Sequence, residues 1–80
     1  MSRKDDLKNW VYEAVRRRGE ASVLDVAKDI WHAHEAEIHA FGDGFYTWQY
    51  DMRWAAQDLR AEGKLVISPN RKWALSGSRI

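Results

Sequence analysis

Apolar residues recur along the first half of the chain with the period of a helix. Leu7, Trp10, Val11, Ala14 and Val15 fall at i, i+3, i+4, i+7 and i+8, which is one stripe of a helix over about 5–18. Asp5 and Asp6 lie in its first turn and Arg16, Arg17 and Arg18 in its last. Both groups complement the helix dipole, and Gly19 supplies the stop. Gly19-Glu20-Ala21-Ser22 reads as a short extended link. Ser22, with Asp25 three residues on, forms a shortened capping box for a second helix. There Val23, Val26, Ala27, Ile30, Ala33 and Ile38 keep helical spacing as far as about His39. Gly42 and Gly44 break the pattern, and Thr47 is the expected N-cap of a third helix over about 47–62. Its stripe is Trp48, Met52, Ala55 and Leu59, and its opposite face holds Gln49, Tyr50, Arg53, Trp54, Gln57 and Arg60. Beyond Gly63, Leu65-Val66-Ile67 and Lys72-Trp73-Ala74-Leu75 are β-prone runs around the turn Ser68-Pro69-Asn70-Arg71, which predicts a hairpin.

A lone hairpin is marginal in water, so this one must lie against the helices. The expected fold is α+β and mostly α: a winged helix-turn-helix of three helices with a C-terminal two-stranded hairpin, the wing, over about 65–75. One domain accounts for residues 1–80, with its core over about 5–76 and a frayed tail at 77–80. Trp10, Val11, Val15, Val26, Ile30, Met52, Leu59, Leu65 and Ile67 are expected to be buried together. Trp54 is expected to pack beneath the hairpin.

The 80 residues are 45% hydrophobic and include five tryptophans, enough for a small core without staples. The chain contains no cysteine, which excludes disulfides and thiolate metal sites and suits a reducing cytoplasm. Neither a leader-like apolar run nor a stretch near the ~20 apolar residues of a membrane helix is present, so a cytoplasmic protein off the membrane is expected. The net charge is only +1, which does not mark a nucleic-acid binder by itself. Its distribution is more telling. Arg3, Lys4, Lys8 and Arg16 to Arg18 outweigh Asp5, Asp6 and Glu13. Glu20, Asp25, Asp29, Glu35 and Glu37 face Lys28 alone, and 64–80 holds Lys64, Arg71, Lys72 and Arg79 without an acid.

Met52-Arg53-Trp54-Ala55-Ala56-Gln57-Asp58-Leu59-Arg60-Ala61-Glu62-Gly63-Lys64-Leu65-Val66 resembles a stretch of the N-terminal domain of Mrr-type restriction endonucleases. Arg53-Trp54-Ala55, Leu59 and Gly63 carry most of the likeness. Asn70-Arg71-Lys72-Trp73-Ala74-Leu75-Ser76 is similar to that family's basic turn and closing strand, and 19–30 to the start of its second helix. The similarity covers about residues 7–76. The glycine common in the family's wing turn is replaced here by Asn70 or Arg71, and residues 1–80 hold no nuclease domain after the wing. The resemblance implies a DNA-recognition module and gives no support to cleavage.

Arg53, with Gln49 and Gln57 one turn to either side, is the candidate base-reading set. Arginine can bridge guanine O6 and N7, and glutamine adenine N6 and N7. Tyr50 and Arg60 flank the set, and Arg71 and Lys72 at the hairpin turn suit phosphate. Each has a plainer reading. Arg53 could pair with Asp51, Asp58 or Glu62, the turn cations could protect a strand edge, and Arg16 to Arg18 could be a solvated helix end. His32, Glu35 and His39 share a helical face, but the spacing around His34 is not a zinc-enzyme motif, and no metal or cofactor is expected. Glu62-Gly63-Lys64 has a nuclease-like form without the carboxylates that would hold magnesium. An enzyme is therefore not expected. Double-stranded DNA is the leading partner, and a protein-interaction or dimerisation module is the alternative.

Overall fold

Leu7, Val11, Ala14 and Val15 are buried on one side of α1, Arg3–Arg18, the helix against which α2, α3 and the sheet all pack. The computed structural model describes residues 3–76, so the expected tail at 77–80 lies outside the described residues. Gly19 ends α1 with φ +79, where its N–H reaches Val15 O at 2.8 Å. The link that follows is a strand, β1 (Glu20–Ala21), which pairs antiparallel with the last strand as Glu20↔Ala74 and Ala21↔Trp73.

The capping box forms as expected at the start of α2, Val23–His39. Ser22 Oγ accepts from Asp25 N at 3.1 Å, and Asp25 Oδ2 accepts from Ser22 N at 3.4 Å. Val26, Ile30 and Ile38 are its buried residues. The helix kinks at His34, whose φ of −132° leaves the helical region as its ring stacks on Trp10 at 4.0 Å. A 3-10 turn, Gly42–Phe45, leads to α3 (Trp48–Ala61). Thr47 makes no cap bond to the backbone; its hydroxyl donates instead to Asp51 Oδ2 at 3.4 Å. At the other end Gly63 takes φ +79, its N–H reaches Arg60 O at 3.0 Å, and Lys64 N reaches Leu59 O at 2.8 Å. That pair of bonds is a Schellman closure, and it turns the chain directly into β2.

β2 (Leu65–Ile67) and β3 (Trp73–Leu75) pair as Leu65↔Leu75, Val66↔Ala74 and Ile67↔Trp73. The sheet therefore has three strands in the order β1-β3-β2, where the sequence predicted a two-stranded hairpin. Two residues of β1 are too few to show an alternating pattern, and their partners lie some fifty positions away. Trp48, Met52, Ala55, Ala56 and Leu59 of α3 join α1, α2, Ala21, Leu65 and Trp73 in one core.

Two expected core positions differ. Trp10 is half-buried between His34 and Phe41, and Ile67 is 42% exposed. Leu65 and Ile67 share a strand face, but the core stops short of Ile67, where its cross-strand neighbour Trp73 takes the buried place.

Candidate nucleic-acid interface

At about 100° per residue, the side chains of α3 sort by chemistry around its axis. Gln49, Arg60, Arg53 and Gln57 occupy successive positions next to the buried stripe, followed by Tyr50 and Trp54, and all six are exposed. Asp51, Asp58 and Glu62 share the remaining flank, where Asp51 accepts from the Thr47 hydroxyl and the other two lie near Lys8 of α1. There Glu62 pairs with Lys8 and lies 3.5 Å from Lys64 Nζ, while Asp58 adds to the field that raises the Lys8 pKa. The pairing of Arg53 with Asp51, Asp58 or Glu62 does not form. Among the described residues neither Arg53 nor Arg60 has an ion-pair partner. Arg60 Nη1 donates to Gln57 Oε1 at 3.4 Å, leaving the charge of the guanidinium uncompensated.

Trp54 is 53% exposed and meets Tyr50 edge-on at 6.2 Å, so it does not lie beneath the hairpin. The hairpin carries its own indole, Trp73, into the core. Gln57, Arg60 and Ala61 instead border β2, lining a shallow groove with Val66 and Ile67. The C-terminal half of the α3 face thus continues onto the sheet.

The turn lies past Ile67, on the order of 10 Å along β2 from its start beside α3. It is held by Ser68 N to Lys72 O at 2.7 Å and Arg71 N to Ser68 O at 2.9 Å, with Arg71 at φ 61. Asn70 Nδ2 donates to Glu20 Oε1 at 3.2 Å, fastening the turn to β1. This attachment separates the two turn cations. Arg71 is exposed with no ion pair among the described residues, whereas Lys72 is half-buried near two acids. Hydrogen bonds from Ser68 and Asn70 hold the Glu20 carboxyl below the usual range, with a smaller push from Lys72. The Asp25 carboxyl is lowered chiefly by its bonds to Ser22, and again slightly by Lys72. Arg79, the remaining cation of this region, lies outside the described residues.

The arginine run ending α1 is mostly paired. Arg16 meets Glu13 at 2.6 Å, and Arg18 grips both oxygens of Asp29, at 2.6 and 2.9 Å, tying α1 to α2. The sequence signal for this tie was Asp25 and Asp29 one helical turn apart. The Arg18 guanidinium lowers the Asp29 carboxyl pKa, so its stabilisation is present above the unfolded pKa and lost as pH falls through the folded one. Asp29→Asn is therefore expected to lower the melting temperature at pH 7 by no more than a few degrees. That difference should disappear in acid, below the depressed pKa. A gap that persists there would assign the effect to packing.

Among the described residues no group of three His, Asp or Glu side chains is placed to hold a metal ion. His34 Nδ1 lies 3.0 Å from Glu37 Oε1, and His39 stacks on Phe45 at 4.7 Å. Zinc or EDTA is expected to leave the melting temperature unchanged. A rise at micromolar zinc would reveal a site, since ligands of the folded state must stabilise it. Among the described residues no helix is long and apolar enough to cross a membrane. The chain matches no family model, no curated protein and no solved structure at a significant level.

Proposed function

We propose that the chain is a winged helix-turn-helix module of the cytoplasm that binds double-stranded DNA and catalyses no reaction. In this reading α3 enters the major groove and the β2–β3 turn is the wing that meets phosphate. The observation that carries it is the sorting of α3. Glu62 pairs with Lys8 of α1 and Asp58 adds to the field there, while Gln49, Arg53, Gln57 and Arg60 stand exposed together, with both guanidinium charges unpaired among the described residues. A near-neutral chain can thus present a locally basic, hydrogen-bonding helix face of the kind that reads base edges. Arg71 at the turn and the Mrr-like sequence of 52–66 point the same way.

The test is fluorescence anisotropy of a labelled duplex titrated with the full chain at several salt concentrations. Binding is expected, with the logarithm of the affinity falling linearly in the logarithm of salt by about 0.9 per phosphate neutralised. One observation favours a second reading. Tyr50, Trp54, Val66 and Ile67 are large, exposed and apolar, a pattern more usual for a protein-binding or dimerisation face. Failure to bind any duplex at low salt would leave that reading in place of the first.

A further inference from the structure

An open trough of about 530 Å³ runs between α2 and the start of α3, apart from the arginine-bearing face. Its wall is aromatic: Trp31 stacks on Trp48 at 6.2 Å and tilts against Phe45 at 6.1 Å. Leu24, 62% exposed, and Tyr46, 85% exposed, stand on its rims. The Tyr46 ring is held out edge-on against Phe45, at 5.2 Å and 84°. Two large apolar side chains left in water beside an aromatic wall mark a docking surface more than they mark a core.

The polar lining of the trough is equally one-sided. Lys28 supplies its charge and His32 an imidazole, and no carboxylate lines it among the described residues. The acids of α2 are engaged elsewhere: Asp25 with Ser22, Asp29 with Arg18, Glu35 with His39 and Glu37 with His34. Lys28 has no ion-pair partner among the described residues.

We propose that this trough docks an acidic peptide segment of a partner protein. An apolar side chain of the peptide rests on Trp31 and Trp48 between Leu24 and Tyr46, and its carboxylates meet Lys28 and His32. Shape favours a peptide over a small molecule, because the space is an open trough and small ligands bury most of their surface. Charge favours a partner over a second copy. The other exposed apolar side chains of this chain lie along the α3 face and β2, beside Arg53 and Arg60, and would bring like charges toward Lys28. The site shares only Gln49 with the α3 face, so it stands whether or not the DNA reading does.

Displayed random dodecapeptides selected on the full chain, then synthesised and titrated by calorimetry, test the proposal. The expected winners carry a leucine or aromatic residue within about four positions of Asp or Glu. They should lose about tenfold in affinity on Lys28→Glu and about fivefold on Tyr46→Ser, while Arg53→Glu changes little. Both trough substitutions are on exposed side chains, and unchanged melting curves verify that the fold is kept. No enrichment, winners without carboxylates, or affinity indifferent to Lys28→Glu would each overturn the proposal. A dimer that Lys28→Glu dissociates would assign the trough to a second copy, and loss of duplex binding on the same change would assign it to DNA. Either result also overturns it.

Discussion

Leu59→Ala is expected to lower the unfolding free energy by about 2–5 kcal/mol, a large share of the stability available to so small a domain. Leu59 is 3% exposed and belongs to the core that joins α1, α3 and Leu65. Its carbonyl accepts the Lys64 N–H that closes α3, but that bond is made by backbone and survives the substitution. The loss is therefore the transfer of the side chain plus the cavity left behind, with no cap lost in addition. Ile67→Ala is the matched control, because Ile67 is 42% exposed and its removal opens no enclosed cavity. It should cost less than about 1 kcal/mol. Urea unfolding followed by tryptophan fluorescence measures both. Equal costs at the two positions would mean that the α3 register or the extent of the core is misassigned.

Those two positions also show what could be read from the chain alone. Leu59 sits on a stripe of four positions over about three turns, and a helical period of that length fixes a face with little ambiguity. Ile67 sits in a strand of three residues, where alternation names the face but not how far the core extends beneath it. β1 was harder still, since its two residues acquire strand character only from a partner near the other end of the chain. Trp54 was misplaced for a related reason. The hairpin's need for an apolar support pointed to Trp54, but the hairpin buries an indole of its own, Trp73, and Trp54 stays exposed. The sorting of charge on α3, by contrast, was present in the sequence and hidden by counting. Asp51, Asp58 and Glu62 are spaced i, i+7 and i+11, which is one helical flank, while Arg53 and Arg60, also seven apart, share another. A total of acids against bases sums across flanks that never meet. The kink at His34 had no glycine or proline to announce it, and its visible correlate, the stack on Trp10, joins two helices.

Arg53→Ala and Arg71→Ala are expected to weaken DNA binding in different ways, and the difference follows from where each charge sits. Arg53 stands in the middle of the exposed α3 face, between Gln49 and Gln57, with no acid holding it among the described residues. In the groove it can donate two bonds to one guanine, a contact worth about 1–3 kcal/mol of discrimination against the wrong base. Its removal should reduce the preference for a selected duplex over a random one, about 5- to 150-fold on that scale. Arg71 lies at a turn beyond the end of β2, which in the proposed docking meets phosphate and no base edge. Arg71→Ala should weaken both duplexes alike and shrink the logarithmic salt slope by about one unit. Lys72→Ala supplies an internal check, because the field of Lys72 already falls on Glu20 and Asp25, so its effect on slope should be smaller than that of Arg71. The measurement is a salt series for the wild type and the three variants on both duplexes, the favoured one chosen by selection from a random pool. If Arg53→Ala proves as uniform across duplexes as Arg71→Ala, α3 contacts backbone and does not read bases. If Lys72→Ala costs as much slope as Arg71→Ala, the acids of β1 and α2 do not hold Lys72 back when phosphate competes for it.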